Sequence, residues 1–329
     1  MFRSTVKLFP LGLVAALVMI LGIACGDDAT PAAPAKPILQ PTEAPTEVVI
    51  PTIAVPATPT KFPTPTPTPK PAATPAPNFV TSSVPRLILS VSPAAHEANL
   101  PWMMSNTSTI HLRPMMETMV NTDLLTAQYE ARLASKWSMS SDAKVWSFEL
   151  QDGVSWHKGY GDFTAADVKH SVERVSSKES IASDKNVWTK VLPSSDQIEI
   201  VDDLNVKFNL SVPEPDLEFD LSTRLGNFVI VSKAQWDKDG RDGMMADPAG
   251  TGPYQFVERE PAVHLLYSRV EDHWRRTPDF KELMIKFLAE PTTRLASILT
   301  GETHIVTLPR DLQAKAKQNG YTVITAERS

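Results

Sequence analysis

The sequence predicts a mixed α/β body over residues 79–329. Strand-like and helix-like segments alternate along it with no repeat of fixed period. Arg86–Val91 and Val145–Leu150 alternate apolar side chains as half-buried strands do. Between strand-like segments, FTAADVKHSVERV at 163–175 carries a full helix-start signature.

The chain of 329 residues opens with a leader, residues 1–24, in which Arg3 and Lys7 precede an apolar run from Leu8 to Ile23. That run is long enough to weigh as a membrane span, but small residues close it and Cys25 follows Gly22, Ile23 and Ala24. The closing residues resemble the bacterial lipobox, with Gly22 where that motif more often has Leu or Val. The resemblance implies cleavage after Ala24 and lipid attachment at Cys25. Cys25 is the single cysteine, so no internal disulfide is available.

Residues 25–78 read as a disordered tether rich in Pro, Thr and Ala, holding 15 of the 29 prolines. Such a tract cannot bury enough apolar surface to offset chain entropy, and its prolines favour extended polyproline II. It serves as a spacer between a lipid site and a domain, or as a Pro-rich recognition ligand. Its threonines are possible sugar acceptors.

In the body, Trp146, Phe148 and Leu150 face one way from their strand. Gly153 then marks a turn before a second aromatic segment at Trp156. At the helix start, Thr164 caps with Asp167 three residues on, Phe163 and Val168 occupy staple positions, and Val168, Val172 and Val175 line one face. Residues 198–210 read as two strands around an Asp202-Asp203 turn. Trp137, Trp146 and Trp156 read as core.

A net charge of −6 leaves no basic face for phosphate neutralisation, so nucleic-acid binding is excluded as the main role. The seven histidines show no HExxH pair and no metal-ligand spacing, and no metal or cofactor is expected. Gly250-Thr251-Gly252 lacks the downstream Lys-Ser or Lys-Thr of a phosphate loop and reads as a tight turn before a strand at Tyr254. No serine lies in a G-x-S-x-G elbow and no carboxylates form a recognisable acid–base pair, so no enzyme is expected.

Several segments resemble, in order, the family 5 extracellular solute-binding proteins, the oligopeptide-, dipeptide- and nickel-binding receptors of ABC importers. They are Leu133-Ala-Ser-Lys-Trp137, Ser141-Asp142 through Phe148, Gly153-Val-Ser-Trp-His-Lys-Gly159, Phe163-Thr-Ala-Ala-Asp-Val168, Gly250-Thr-Gly-Pro-Tyr254, Asp272-His-Trp274 and Gly301-Glu302. Lys158 and His304 stand where the family has Asp, which implies that each turn forgoes the interaction that Asp would make.

The resemblance implies a periplasmic-binding-protein-like two-lobed α/β fold (type II, family 5), with residues 79–329 as the first lobe and its inserted subdomain, the chain stopping before the second lobe. It implies a receptor that hands a peptide or similar solute to an ABC permease and ATPase complex. Its place would be the extracytoplasmic face of the cell membrane, or the periplasm where an outer membrane exists. The alternatives are a tethered surface interaction or adhesion module on the same fold, or a non-functional gene fragment. Trp102, Met104 and Asn106 lie in an irregular stretch after the first strand, where such folds present cleft loops, and are the candidate ligand contacts. Lacking the second lobe, the chain is expected to bind solute weakly.

Overall fold

A computed structural model describes residues 84–123, 126–223 and 228–324, excepting the side chains of Asn106, Thr107 and Ile110. Cys25, the leader and the tether lie outside the described residues.

In chain order the elements are β1 (Arg86–Val91), α1 (Asn106–Thr109), β2 (Val120–Thr122), β3 (Tyr129–Ala131), β4 (Ala134–Met139), β5 (Val145–Leu150), α2 (Ala165–Val175), α3 (Lys185–Val191), β6 (Ile198–Asp202), β7 (Asn205–Asn209), α4 (Leu217–Asp220), α5 (Lys233–Ala246), β8 (Tyr254–Glu260), β9 (His264–Arg269), β10 (Glu282–Phe287), α6 (Pro291–Leu299), β11 (Ile305–Val306) and α7 (Arg310–Gln318).

Two main sheets organise the body. The five-stranded sheet runs β11-β1-β10-β9-β8, with β1 parallel to both β10 and β11 and with β8, β9 and β10 as an antiparallel meander. Everything from β2 to β9 is therefore inserted between two neighbouring parallel strands. The inserted part contains a four-stranded antiparallel sheet, β4-β5-β7-β6, and the short ribbon β2-β3.

Sequence pattern explains each layer. Along β10, Leu283, Ile285 and Phe287 alternate into the interior beside Leu265 and Tyr267, where they join Met104, Leu112 and Met115 from the crossover after β1. On the other sheet Trp146, Phe148 and Leu150 turn inward as the alternation predicts, and Phe148 meets Phe208 at 5.2 Å. Trp137 is half-buried against the same cluster, with its indole N–H on Glu218 Oε1 at 2.9 Å.

Helix α2 starts where its signature places it. The Thr164–Asp167 capping box is formed, and Phe163, Val168, Val172 and Val175 are buried. Its acid does more than cap. Asp167 Oδ2 accepts Thr164 N at 2.8 Å and Trp156 Nε1 at 3.2 Å, while Oδ1 accepts Lys233 N at 2.8 Å, so one carboxylate ties α2 to the aromatic segment and to the start of α5. Burial raises its pKa against those stabilising hydrogen bonds. A third, small cluster joins α6 to α7 through Leu295, Ile298 and Ala316.

Candidate functional site

The two ends of the five-stranded sheet carry different machinery. Tyr254 opens β8 opposite Arg269, and Ser268 lies opposite Glu282 at the start of β10, so the chain entering β8 sits at the head of the parallel strands. Their carboxyl ends, at Val91, Phe287 and Val306, lie at the other end of the sheet, about 20 Å away at strand rise.

At the head, Gly250 and Gly252 press against the segment before β2. A Cβ on Gly250 would stand 1.8 Å from the Met115 carbonyl oxygen, and one on Gly252 would stand 2.6 Å from that of Pro114. Neither glycine has a left-handed φ, so close approach of two backbones, rather than the tight turn the sequence suggests, demands them. Gly252 N donates to Met115 O at 2.9 Å and Tyr254 N to Pro114 O at 3.0 Å.

Two histidines lock the remaining backbone groups. Gly250 N donates to His157 Nδ1 at 3.2 Å, so the His157 proton is on Nε2, which donates to Gly252 O at 2.8 Å. His273 has the same tautomer: Nδ1 accepts Arg275 N at 3.3 Å and Nε2 donates to Thr251 O at 2.9 Å. Burial pushes the His157 pKa down to about 4 and lowers that of His273, so both act as neutral clamps. A recess of about 340 Å³ beside them is lined by Trp156, His157, Lys158, Asp272, His273 and Trp274 among others.

Glu117, whose side chain is 0% exposed, completes the junction. Its Oε1 accepts Arg132 Nε at 3.2 Å and Arg275 Nε and Nη2 at 3.0 and 2.5 Å. Its Oε2 accepts Thr251 Oγ1 at 3.0 Å and Trp274 Nε1 at 3.2 Å. The motifs around Trp156-His157, Asp167, Gly250–Tyr254 and His273-Trp274 thus converge on one packed junction.

The carboxyl ends present a different surface. The chain leaving β1 exposes Ser92, Ala95 and His96, that leaving β10 exposes Ala289 and Glu290, and that leaving β11 exposes Thr307. Arg294, 5% exposed, underpins this rim: Nη1 donates to Leu288 O and Ala289 O at 2.5 and 2.8 Å, and Nε to Thr307 O at 2.8 Å. Beyond the rim the loop is fastened to the meander, where Arg259 donates to Asn99 Oδ1 and Ala98 O, each at 2.9 Å, and Glu97 accepts Ala262 N at 3.0 Å. Carboxyl ends of adjacent parallel strands form a crevice in open α/β sheets, where ligands bind. Among the described residues no group of acids, His and Cys is placed to hold a metal ion.

Of the candidate ligand residues, Trp102 and Met104 are interior, 2% and 0% exposed. The Trp102 indole N–H donates to Glu179 Oε1 at 3.2 Å, and its ring meets Trp236 edge-on at 5.8 Å. Both side chains pack in the core beside the five-stranded sheet, Trp102 with its one donor satisfied. Asn106 begins α1, and its side chain lies outside the described residues.

The two substituted turn positions have partners of their own. Lys158, at φ 61°, pairs with Asp247, and His304 Nδ1 accepts Ile88 N at 3.0 Å. Glu117, Arg132, Arg275 and Arg294 carry no local sequence signal; only their partners in the fold reveal them.

An α/β lobe with a second sheet inserted between two neighbouring parallel strands has the architecture of the first lobe of a periplasmic-binding-protein-like fold. Residues 128–329 match the model of bacterial extracellular solute-binding proteins, family 5 Middle, and the chain belongs to that family. It is 27% identical over 208 residues to Di/tripeptide-binding protein 2 of Pseudomonas aeruginosa, covering 58% of this chain and 39% of that one. Among solved structures it is similar to the periplasmic binding protein MoaA of A. tumefaciens R10 in complex with mannopinic acid, with TM-score 0.64 and 22% identity, covering 72% of this chain and 48% of that one. It is also similar to DppA of Helicobacter pylori in complex with the peptide STSA, with TM-score 0.62 and 22% identity, covering 71% and 48%. The chain thus spans less than half the length of these relatives.

Proposed function

We propose that this lobe belongs to an extracytoplasmic receptor that captures a peptide or similar small solute and delivers it to an ABC permease and ATPase complex. The observation that carries the reading is the rim at the carboxyl ends of β10, β1 and β11. It brings exposed residues of three loops to one end of the sheet, two of the loops held in place by Arg294. Backbone groups suit a peptide, whose own main chain supplies complementary donors and acceptors whatever its side chains.

A two-lobed receptor encloses its solute from both sides, and this lobe supplies one wall. Roughly millimolar peptide affinity is therefore expected of this lobe alone, with far tighter binding where a second lobe faces it. Calorimetry of the chain against a peptide library, followed by hydrogen exchange, tests this. Slowed exchange confined to residues 92–96, 289–290 and 307 supports the reading. Tight binding of a protein partner with no peptide effect would favour an adhesion module instead.

The leader supports a lipid anchor at Cys25 and the Pro-rich tract a spacer. Metabolic labelling with a palmitate analogue should mark the wild type and spare Cys25→Ser; equal labelling of both would exclude the anchor.

A further inference from the structure

Three arginines surround the buried Glu117 carboxylate at the junction. Glu117 is ion-paired to Arg132 and Arg275, and Arg113 joins them through Thr223, whose carbonyl accepts Arg113 Nη2 at 2.7 Å and whose Oγ1 donates at 3.2 Å to the same Asn121 Oδ1 that accepts Arg132 Nη1 at 3.1 Å; burial, then the Arg132 charge, lowers the Arg113 pKa. Arg132 is itself lowered by burial first and, less strongly, by Arg275, against the opposing effect of Glu117. Three guanidiniums against one carboxylate leave a formal charge of 3 − 1 = +2. Among the described residues no second carboxylate forms an ion pair with any of the three. Glu130 is one step removed: Asn121 takes Arg132 Nη1 at 3.1 Å and passes its own Nδ2 to Glu130 Oε2 at 2.8 Å.

Glu117 has nothing left to offer. Its two oxygens already accept five donors, against about four lone-pair sites on a carboxylate. Arg113 donates Nη2 to Thr223 O at 2.7 Å, but its Nε is buried without a partner. A guanidinium N–H in that state is costly, and an acceptor that arrives with negative charge removes both the missing hydrogen bond and the repulsion between cations. Such an acceptor can reach Arg132 and Arg275, whose side chains are 18% and 36% exposed. Arg275 stacks over Trp274 at 5.2 Å, which holds its donor fork in a fixed plane.

We propose that Arg113, Arg132 and Arg275 form a binding site for a small dissolved oxyanion, a phosphate or carboxylate group, at the head of the five-stranded sheet. The planar forks match the oxygens of either group, and limited exposure admits a small anion rather than a macromolecular surface. The site lies at the opposite end of the sheet from the solute rim and stands whether or not the rim takes peptides. Occupancy adds charge-assisted hydrogen bonds and offsets the repulsion between the guanidiniums, so it stabilises the junction.

The full chain titrated with sodium phosphate or citrate, against sodium chloride at matched ionic strength, tests this by calorimetry and thermal unfolding. Phosphate or citrate is expected to raise the midpoint by a few degrees beyond chloride. Arg113→Gln and Arg275→Gln should each weaken binding about tenfold or more, the effect of losing a charge-assisted hydrogen bond. Stability in chloride gives each variant's own baseline, so the anion-specific increment is separated from loss of structure. Arg275→Lys, which keeps the charge but not the fork, should retain partial binding and guards against a variant that fails to fold. Phosphate and citrate acting no differently from chloride on the wild type would overturn the proposal, as would an increment undiminished in both Gln variants.

Discussion

The junction at the head of β8 and the rim at the tails of β1, β10 and β11 belong to one sheet and are built in opposite ways. At the junction the backbone of 250–254 is used up: two carbonyls are held by histidines, two amides by Pro114 and Met115, and two glycines leave no room for a side chain. At the rim one buried arginine gathers three carbonyls from two loops, and the residues in front of it stay exposed. Four of the seven family motifs fall on the junction. Close backbone approach constrains residue type tightly, whereas a backbone rim tolerates almost any side chain, so the same motifs announce the fold and stay silent about the solute.

Perturbing the junction should therefore cost far more than perturbing the rim. Glu117→Ala strands two guanidiniums, a hydroxyl and an indole, and is expected to lower stability by about 3–5 kcal/mol in chemical denaturation. Gly250→Ala drives a methyl into the Met115 carbonyl, and because backbone must move the cost should be about 3 kcal/mol by the same measurement. A change near zero at either position would break the contrast.

His157 gives a pH signature. The unfolded chain takes up its proton below the ordinary value of 6.5, but the folded chain only near 4. Stability from this residue is therefore complete above pH 6.5 and is lost as pH falls towards 4, by on the order of 3 kcal/mol. His170, also pushed down to about 4 by burial, acts in the same direction. Asp220, raised to about 6 by burial and neighbouring carboxylates, acts oppositely, since its ionisation costs stability as pH rises from 3.8 through 6. His157→Asn should flatten the acid limb relative to the wild type at its own midpoint; an unchanged slope would show that the imidazole is not a neutral clamp. At the rim, Arg294→Ala should cost least, about 1–2 kcal/mol, with the three freed carbonyls turning to solvent.

Local signals make much of the fold legible. The α2 capping box, the alternation along β5 and the hairpin β6-β7 each depend on residues within a few positions of one another. The site is less so. Glu117 meets Thr251 across 134 residues and Arg275 across 158, so no window of sequence holds that pattern, and Arg294, although its carbonyl partners lie within 13 residues, has no motif that marks it. Trp102 illustrates the converse: an irregular stretch after a strand suggests ligand contact, yet its neighbours Glu179 and Trp236 lie far along the chain and take the side chain inward. Reading Gly250 and Gly252 as a turn picks the right residues for the wrong cause, because only the facing backbone shows why they are glycine.

Native-state hydrogen exchange of the solute-free chain tests the contrast most directly. The amides of Gly252 and Tyr254, bonded to Met115 and Pro114, should open only with global unfolding, whereas those of Ala95, His96 and Ala289 should exchange through small local openings. A difference of several kcal/mol in opening free energy is expected between these two sets. Exchange at Gly252 and Tyr254 as fast as at the rim would contradict the division of the sheet into a locked head and an open tail.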